Sequence, residues 1–222
     1  VPEVDRVAVM GNLLTDITQI QNGHLDTGVL GSRVLLDLLM QEDRSDLIHD
    51  MVAKRTFPGW GHMMENGAST LWEHWFPAYS HLCSSIHNSY LSIGDWFFRG
   101  LGGIRPDWSR PGFAHTIIRP AFECDLEYVH AEYDSVRGPI RSSWKKSERG
   151  IELTVAIPAN TSAEVHVPAS DPATVDISGN GPGRPADVRF RRTERGRAVF
   201  ETGSGETTFR VSREEVGRDS QP

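Results

Sequence analysis

The chain has 222 residues, enough for one large domain or two modest ones with a proper core. Its net charge of −7 excludes a basic surface for nucleic acid or anionic lipid, and no apolar run reaches the length of a membrane span. The two cysteines, Cys83 and Cys124, are too few for a disulfide scaffold, and their spacing fits no zinc module. No signal peptide opens the chain. Because the chain is expected to begin partway through a larger fold, localisation stays open between cytoplasmic and secreted.

The first half of the chain, up to about Ile104, has helical periodicity. The pattern predicts four helices, of which Gly23 ends the first, Ser45 begins the third, and the fourth runs from about Ser89 to Leu101. In chain order, their predicted apolar stripes are Met10, Leu13, Leu14 and Ile17; Leu30, Val34, Leu35, Leu38 and Leu39; Leu47, Ile48, Met51 and Val52; and Ile93, Trp96, Phe97 and Leu101. The chain enters its first helix almost at once and has no initiator Met, which predicts that it begins partway through a larger fold.

From Pro111 onward, apolar and polar residues alternate, and glycine-containing turns separate short segments. This pattern is typical of an antiparallel sandwich. The predicted strands are 115–119, 126–133, 150–157, 163–167, 197–200 and 207–211. We therefore expect an α+β protein by domain, with helices over residues 1–110, a β-sandwich over 111–211 and a flexible tail over 212–222.

The run from Met64 to Phe97, in the later part of the helical half, carries the chemistry. Glu73 lies between Trp72 and Trp75, and His87 follows fourteen residues later. Aromatic rings stack on the CH faces of sugars, and a carboxylate can activate water for attack at an anomeric carbon. The sequence therefore predicts a carbohydrate-processing site.

Five stretches, taken in order, resemble the α-L-rhamnosidases of glycoside hydrolase family 78. They are His24-Leu-Asp-Thr-Gly-Val-Leu-Gly31, Phe57-Pro-Gly-Trp-Gly61, Glu65-Asn-Gly-Ala-Ser-Thr-Leu-Trp-Glu-His-Trp75, the run from His87 to Phe97, and Pro111-Gly-Phe with Ile117-Ile-Arg-Pro120. The resemblance covers roughly residues 5 to 168. It implies the C-terminal helices of an (α/α)₆ toroid followed by the family's C-terminal β-sandwich.

The resemblance also implies an inverting hydrolase in which Glu73 is the general base and His87 contacts the rhamnose. Trp72 and Trp75 are the expected sugar platforms, and neither a metal nor a cofactor is expected. Because nothing in residues 1–23 matches the acidic motif that holds the family's general acid, the acid is expected to be missing from this chain. The expected partners are a rhamnose-containing glycan, the rest of the barrel and, through exposed apolar helix faces, further copies of the chain.

Simpler interpretations remain open for each of these residues. Glu73 is equally compatible with a structural ion pair to an arginine such as Arg99, and Glu65 is the alternative catalytic carboxylate. The tryptophans are also typical core residues, and His24-Leu-Asp26 is better explained by helix capping at Asp26-Thr27 than by a metal site. A glycan-binding module without catalysis, or an inactive remnant, are the competing functions.

Overall fold

The computed structural model describes residues 2–76, 83–88, 90–180 and 187–213. It divides the chain into two compact units, residues 1–94 and residues 95–222. Most of the tail predicted to be flexible, residues 214–222, lies outside the described residues. The domain limits expected from the sequence stay a prediction.

The first unit is helical. Its first helix, α1, continues directly into a turn of π-helix over Asp16–Ile20, and Gly23, at a φ of 69°, follows this turn as predicted. The π-turn contributes the buried Ile17, whereas no residue of α1 itself is buried. The α-helices are α1 Glu3–Thr15, α2 Val29–Gln41, α3 Ser45–Ala53, α4 Trp60–Glu65 and α5 Ser92–Asp95, and a second π-helical turn follows α5 over Trp96–Leu101.

The predicted stripe of α2 is wrong in its first half. Leu30 and Val34 are 88% and 68% exposed, whereas Leu35 and Leu39 are buried as predicted. The buried face of the helix consists of Ser32, Leu35, Leu36, Leu39 and Met40. Apolar residues point in nearly every direction around this helix, so the period alone does not determine which side is buried.

The predicted cap of α2 is also wrong. Asp26 is exposed, the residue before the helix is Gly28, and no side chain caps the helix start. Instead the hydroxyl of the buried Ser32 donates to the carbonyl of Gly28 at 2.9 Å. The carbonyl of Gly28 also accepts the backbone N–H of Ser32. Ser32 therefore donates two hydrogen bonds to the residue that precedes α2.

The described residues of the second unit form ten strands. They are β1 Ile104–Pro106, β2 His115–Ile118, β3 Tyr128–Ser135, β4 Gly138–Ser147, β5 Gly150–Ile157, β6 Ser162–Val167, β7 Asp176–Asn180, β8 Arg189–Glu194, β9 Arg197–Thr202 and β10 Gly205–Ser212. One sheet has the order β1-β2-β6-β9-β8 and the other has the order β3-β4-β5-β10-β7. All pairs are antiparallel except β2 with β6, so the predicted two-sheet architecture is confirmed with one parallel pair.

Alternation of side chains along the strands builds a single core between the two sheets. Along β6, Ala163, Val165 and Val167 are fully buried, and in the other sheet Leu153, Val155 and Phe209 are buried to the same degree. The second π-helical turn, Trp96–Leu101, also belongs to this unit. The indole N–H of Trp144 on β4 donates to the carbonyl of Leu101 at its end, at 2.9 Å.

Candidate active site

Two short segments of the first unit lie side by side and form the candidate site. The backbone N–H of Glu73 donates to the carbonyl of Ser84 at 3.0 Å, and the N–H of His87 donates to the carbonyl of Leu71 at 2.9 Å. These bonds place Glu73 and His87 on two neighbouring segments of the chain. Residues 77–82, which connect the two segments, lie outside the described residues.

Glu73 is half-buried, and its carboxylate accepts one hydrogen bond from the residues that the structure describes. The backbone N–H of Ser84 donates to Oε2 at 2.8 Å. This hydrogen bond is the main reason that the pKa of Glu73 lies below its usual value, and the positive potential of His87 and of His74 lowers it further against the opposing effect of burial. Glu73 is therefore ionised at neutral pH, the state that a general base requires.

The two histidines near Glu73 lie in different settings. His74 stacks on Phe76, with ring centroids 5.1 Å apart and the planes within 2° of parallel. His87 is half-buried on the second segment, where its backbone is fixed to Leu71. His87 and His74 both exert an electrostatic effect on the carboxylate of Glu73. Both contribute to its lowered pKa, but the backbone of Ser84 contributes more.

The tryptophans on either side of Glu73 lie in the core of the helical unit. Trp72 is 7% exposed and Trp75 is 8% exposed. The ring of Trp75 stacks on Tyr90 at a centroid distance of 3.6 Å, and Trp60 meets it edge-on at 5.2 Å. The indole N–H of Trp75 also donates to the carbonyl of Thr27 at 3.4 Å. Burial and stacking favour a packing role that fixes residues 72–75, so sugar contact by either ring stays a prediction.

The remaining candidates from the sequence have local partners. Glu65, the alternative carboxylate, is the last residue of α4 and pairs with Arg55 at 2.5 Å on the surface. His24 uses both ring nitrogens, Nδ1 with the carbonyl of Gln21 and Nε2 with the hydroxyl of Thr56. Arg99, suggested as a structural partner for Glu73, pairs with Asp95 one helical turn away.

The described residues contain neither a cluster arranged to hold a metal ion nor a helix that could span a membrane. Across residues 2–76, 83–88, 90–180 and 187–213, no group of three or more His, Cys, Asp or Glu side chains is arranged to hold a metal ion. In the same part of the chain, no helix combines the length and apolar character needed to cross a bilayer.

The described chain consists of a helical unit followed by a unit of two sheets. Comparison with known families identifies the class of protein to which these two units belong. Residues 1–101 match the model of the bacterial α-L-rhamnosidase six-hairpin glycosidase domain, and residues 103–181 match the model of the bacterial α-L-rhamnosidase C-terminal domain. The chain belongs to the bacterial α-L-rhamnosidase family.

Relatives named as α-L-rhamnosidases align with most of the chain. It is 33% identical over 218 residues to an α-L-rhamnosidase of Streptomyces avermitilis, a match that spans 95% of this chain and 20% of the relative. An α-L-rhamnosidase of an Alteromonas species is 34% identical over 164 residues, which is 70% of this chain and 18% of the relative. The chain thus spans about a fifth of the length of the relatives that it matches.

Two solved structures have the same fold over the matched region. The α-L-rhamnosidase of Streptomyces avermitilis in complex with L-rhamnose superposes with a TM-score of 0.76 and 32% identity, over 90% of this chain and 19% of that chain. The α-L-rhamnosidase of Dictyoglumus thermophilum superposes with a TM-score of 0.82 and 29% identity, over 96% of this chain and 24% of that chain. The likeness therefore includes both units.

Proposed function

We propose that this chain is the base-bearing C-terminal part of an inverting α-L-rhamnosidase that hydrolyses terminal α-L-rhamnosides. The observation that carries the proposal is the ionised Glu73, fixed by the peptide of Ser84 and placed beside the segment of His87. Both residues lie within the part of the chain that matches the glycosidase domain. The Streptomyces avermitilis relative, which was crystallised with L-rhamnose, supports the sugar.

In the proposed reaction, Glu73 removes a proton from a water molecule that attacks the anomeric carbon on the face opposite the leaving group. An acid outside this chain protonates the departing oxygen, with the two carboxyl groups roughly 6.5–9.5 Å apart. His87 binds a hydroxyl of the rhamnose. Neither a metal nor an organic cofactor takes part in this scheme, since water is the nucleophile and the carboxyl groups transfer the protons.

The proposal also requires the rest of an (α/α)₆ barrel, in the same polypeptide or in a second chain. Exposed apolar side chains support this part of the proposal. On α1, Val4 and Val7 are largely exposed, and on α2 the same is true of Leu30 and Val34. Apolar surface of this extent is normally covered by protein. We propose that the remaining helices of the barrel cover it, and that copies of this chain associate through it when those helices are absent.

Substitution of Glu73 by Gln tests the catalytic part of the proposal. Glu73→Gln keeps the size of the side chain and removes the base, so we expect kcat for an aryl α-L-rhamnoside to fall by about 10²- to 10⁴-fold. Glu65→Gln is the matched control, because it changes a nearby glutamate that pairs with Arg55 on the surface. Loss of activity in the Glu65 variant alone would transfer the role of base to Glu65.

A further inference from the structure

We propose that the peptide N–H of Ser84 is the positioning group of the catalytic base, because it holds one oxygen of Glu73 and leaves the other for the attacking water. The proposal rests on the function proposed above and adds a residue to its mechanism. Ser84 acts through Glu73 and is therefore a positioning residue. None of the sequence patterns pointed to it.

The geometry between the two residues is reciprocal. The backbone N–H of Glu73 donates to the carbonyl of Ser84 at 3.0 Å, and the backbone N–H of Ser84 donates to Oε2 of Glu73 at 2.8 Å. Through these two bonds, Ser84 links the backbone of Glu73 to the carboxylate of the same residue. A carboxylate held at both ends of its side chain has little freedom to rotate, and fixed orientation is what general-base catalysis requires.

The second oxygen of the carboxylate is left available for chemistry. Within the described part of the chain, Oε1 of Glu73 has no hydrogen-bond donor, whereas Oε2 has the N–H of Ser84. A carboxylate oxygen can accept a proton from water only if a lone pair is not already engaged. The arrangement therefore divides the work: Oε2 anchors the group and Oε1 takes the proton.

The side chain of Ser84 supports the direction of its own N–H. Its hydroxyl donates to the carbonyl of Ile86 at 2.6 Å and accepts the backbone N–H of Ile86 at 3.1 Å. These two bonds fix the turn at residues 84–86, and the N–H of His87 then fixes the end of the segment to Leu71. The peptide of Ser84 thus lies in a segment held at both ends.

Among the described residues, the titratable groups that act electrostatically on Glu73 are the imidazoles of His87 and His74, and each favours the ionised form of the carboxylate. The hydrogen bond from Ser84 is the largest contribution to the lowered pKa of Glu73. If this donor is removed, the pKa of Glu73 rises, and a larger share of the base is protonated at mildly acidic pH. The acidic limb of the pH–rate profile must then move to higher pH.

The test compares three variants in the protein produced from its complete gene. Ser84→Pro removes the donating N–H because proline has none. Ser84→Ala keeps the N–H and removes only the bonds to Ile86. Ser85→Pro places the same ring one residue later, where the described structure gives the N–H no acceptor. The pH dependence of kcat/KM for an aryl α-L-rhamnoside is measured for each, together with Glu73→Gln.

We expect Ser84→Pro to move the acidic limb to higher pH, with a large loss of activity at about pH 5 and recovery toward the wild-type rate at about pH 7.5. We expect Ser85→Pro to keep the wild-type limb and Ser84→Ala to lie between the two. Recovery with pH separates loss of a donor from misfolding, because a misfolded site does not regain activity when the pH rises.

Three results would overturn the inference. If Ser84→Pro keeps the wild-type pH profile while Glu73→Gln is inactive, Ser84 is not a positioning group, although the proposed function stands. If Ser84→Pro loses the same fraction of activity at every pH, its effect is purely structural and the inference is wrong. If Glu73→Gln keeps wild-type activity, the proposed function itself fails and the inference fails with it.

Discussion

The ionisation of Glu73 depends on groups in direct reach of its carboxylate. A peptide N–H supplies the hydrogen bond, and two imidazoles supply positive potential. A hydrogen bond to the charged form lowers the pKa of a carboxyl group even where nearby protein partly excludes water. The chemistry proposed for this residue therefore depends on the conformation of the segment at 84–87 as much as on the glutamate itself.

A buried titratable residue of the sandwich lies on β6. His166 is almost fully buried, its Nε2 lies 2.9 Å from Glu164, and its Nδ1 has no hydrogen-bond partner among the described residues. Burial, opposed by Glu164 and assisted by Arg119 and Arg197, lowers the pKa of His166 to about 4. The imidazole is therefore neutral in the folded protein at physiological pH.

This burial predicts a pH dependence of stability. Between pH 6.5 and about 4 the unfolded chain binds a proton at His166 and the folded chain does not, so the free energy of unfolding falls as the pH falls through this window. The size of the effect is on the order of 3 kcal/mol at its acidic end. Urea unfolding at about pH 7 and about pH 5 measures it.

His166→Asn is the variant that isolates this contribution. Its free energy of unfolding should vary less with pH than that of the wild type. Some dependence should remain, because burial also lowers the pKa of His115. Equal pH dependence in the two proteins would mean that folding leaves the pKa of His166 unchanged.

At the scale of secondary structure, two glycines of the sandwich have positive φ at the first residue of a strand. Gly150 joins β4 to β5 at a φ of 130°, and a Cβ built on it would lie 1.9 Å from the carbonyl oxygen of Val211. Gly205 begins β10 at a φ of 112°, and a Cβ there would meet nothing within 4 Å. The two sites have similar backbone strain but differ in the space available.

The pair Gly150→Ala and Gly205→Ala separates strain from steric clash. We expect Gly205→Ala to lower the free energy of unfolding by about 1–2 kcal/mol, the cost of an L-residue at positive φ. Gly150→Ala should cost at least about 3 kcal/mol, because the backbone of β10 must also move. Chemical denaturation of both variants gives the difference, and equal costs would contradict the close approach of Val211.

The success of sequence prediction for each element depended on how clear its pattern was. Periodicity identified α1, α2, α3 and most of the strands, whereas α4 has only six residues, too few to establish a period. Strand β4 was missed because its inward positions include Ser142 between Ile140 and Trp144, and this polar residue breaks the alternation. Strand β8 has no buried residue and therefore shows no alternation.

The candidate site was predictable only in its side chains. Glu73 and His87 were predicted from the motif, and the structure places them on adjacent segments, while their roles stay predictions. Ser84 was missed because its contribution comes from a backbone N–H, which any residue except proline provides. The core positions of Trp72 and Trp75 depend on packing with residues distant in sequence, such as Tyr90, which neighbouring residues do not reveal.

At the scale of the whole molecule, the remaining helices of the proposed barrel should cover the exposed apolar side chains of α1. We expect Val7→Asp, in the protein produced from its complete gene, to lower the free energy of unfolding by about 3 kcal/mol, since it would bury an unpaired charge. Asn12→Asp is the control on an exposed side of the same helix and should change the free energy of unfolding by less than about 0.5 kcal/mol. If the two variants are equally stable, Val7 faces solvent in the complete protein.

The central claim is that Glu73 activates the water that attacks the rhamnoside, and chemical rescue tests it most directly. Azide is a nucleophile that needs no base, so it should restore turnover to an inactive Glu73→Ala variant. Nuclear magnetic resonance identifies the anomer that forms. The account predicts a rhamnosyl azide of β configuration, because attack opposite the leaving group inverts an α-rhamnoside. An α-rhamnosyl azide, or no rescue while the folded protein still binds L-rhamnose, would contradict it.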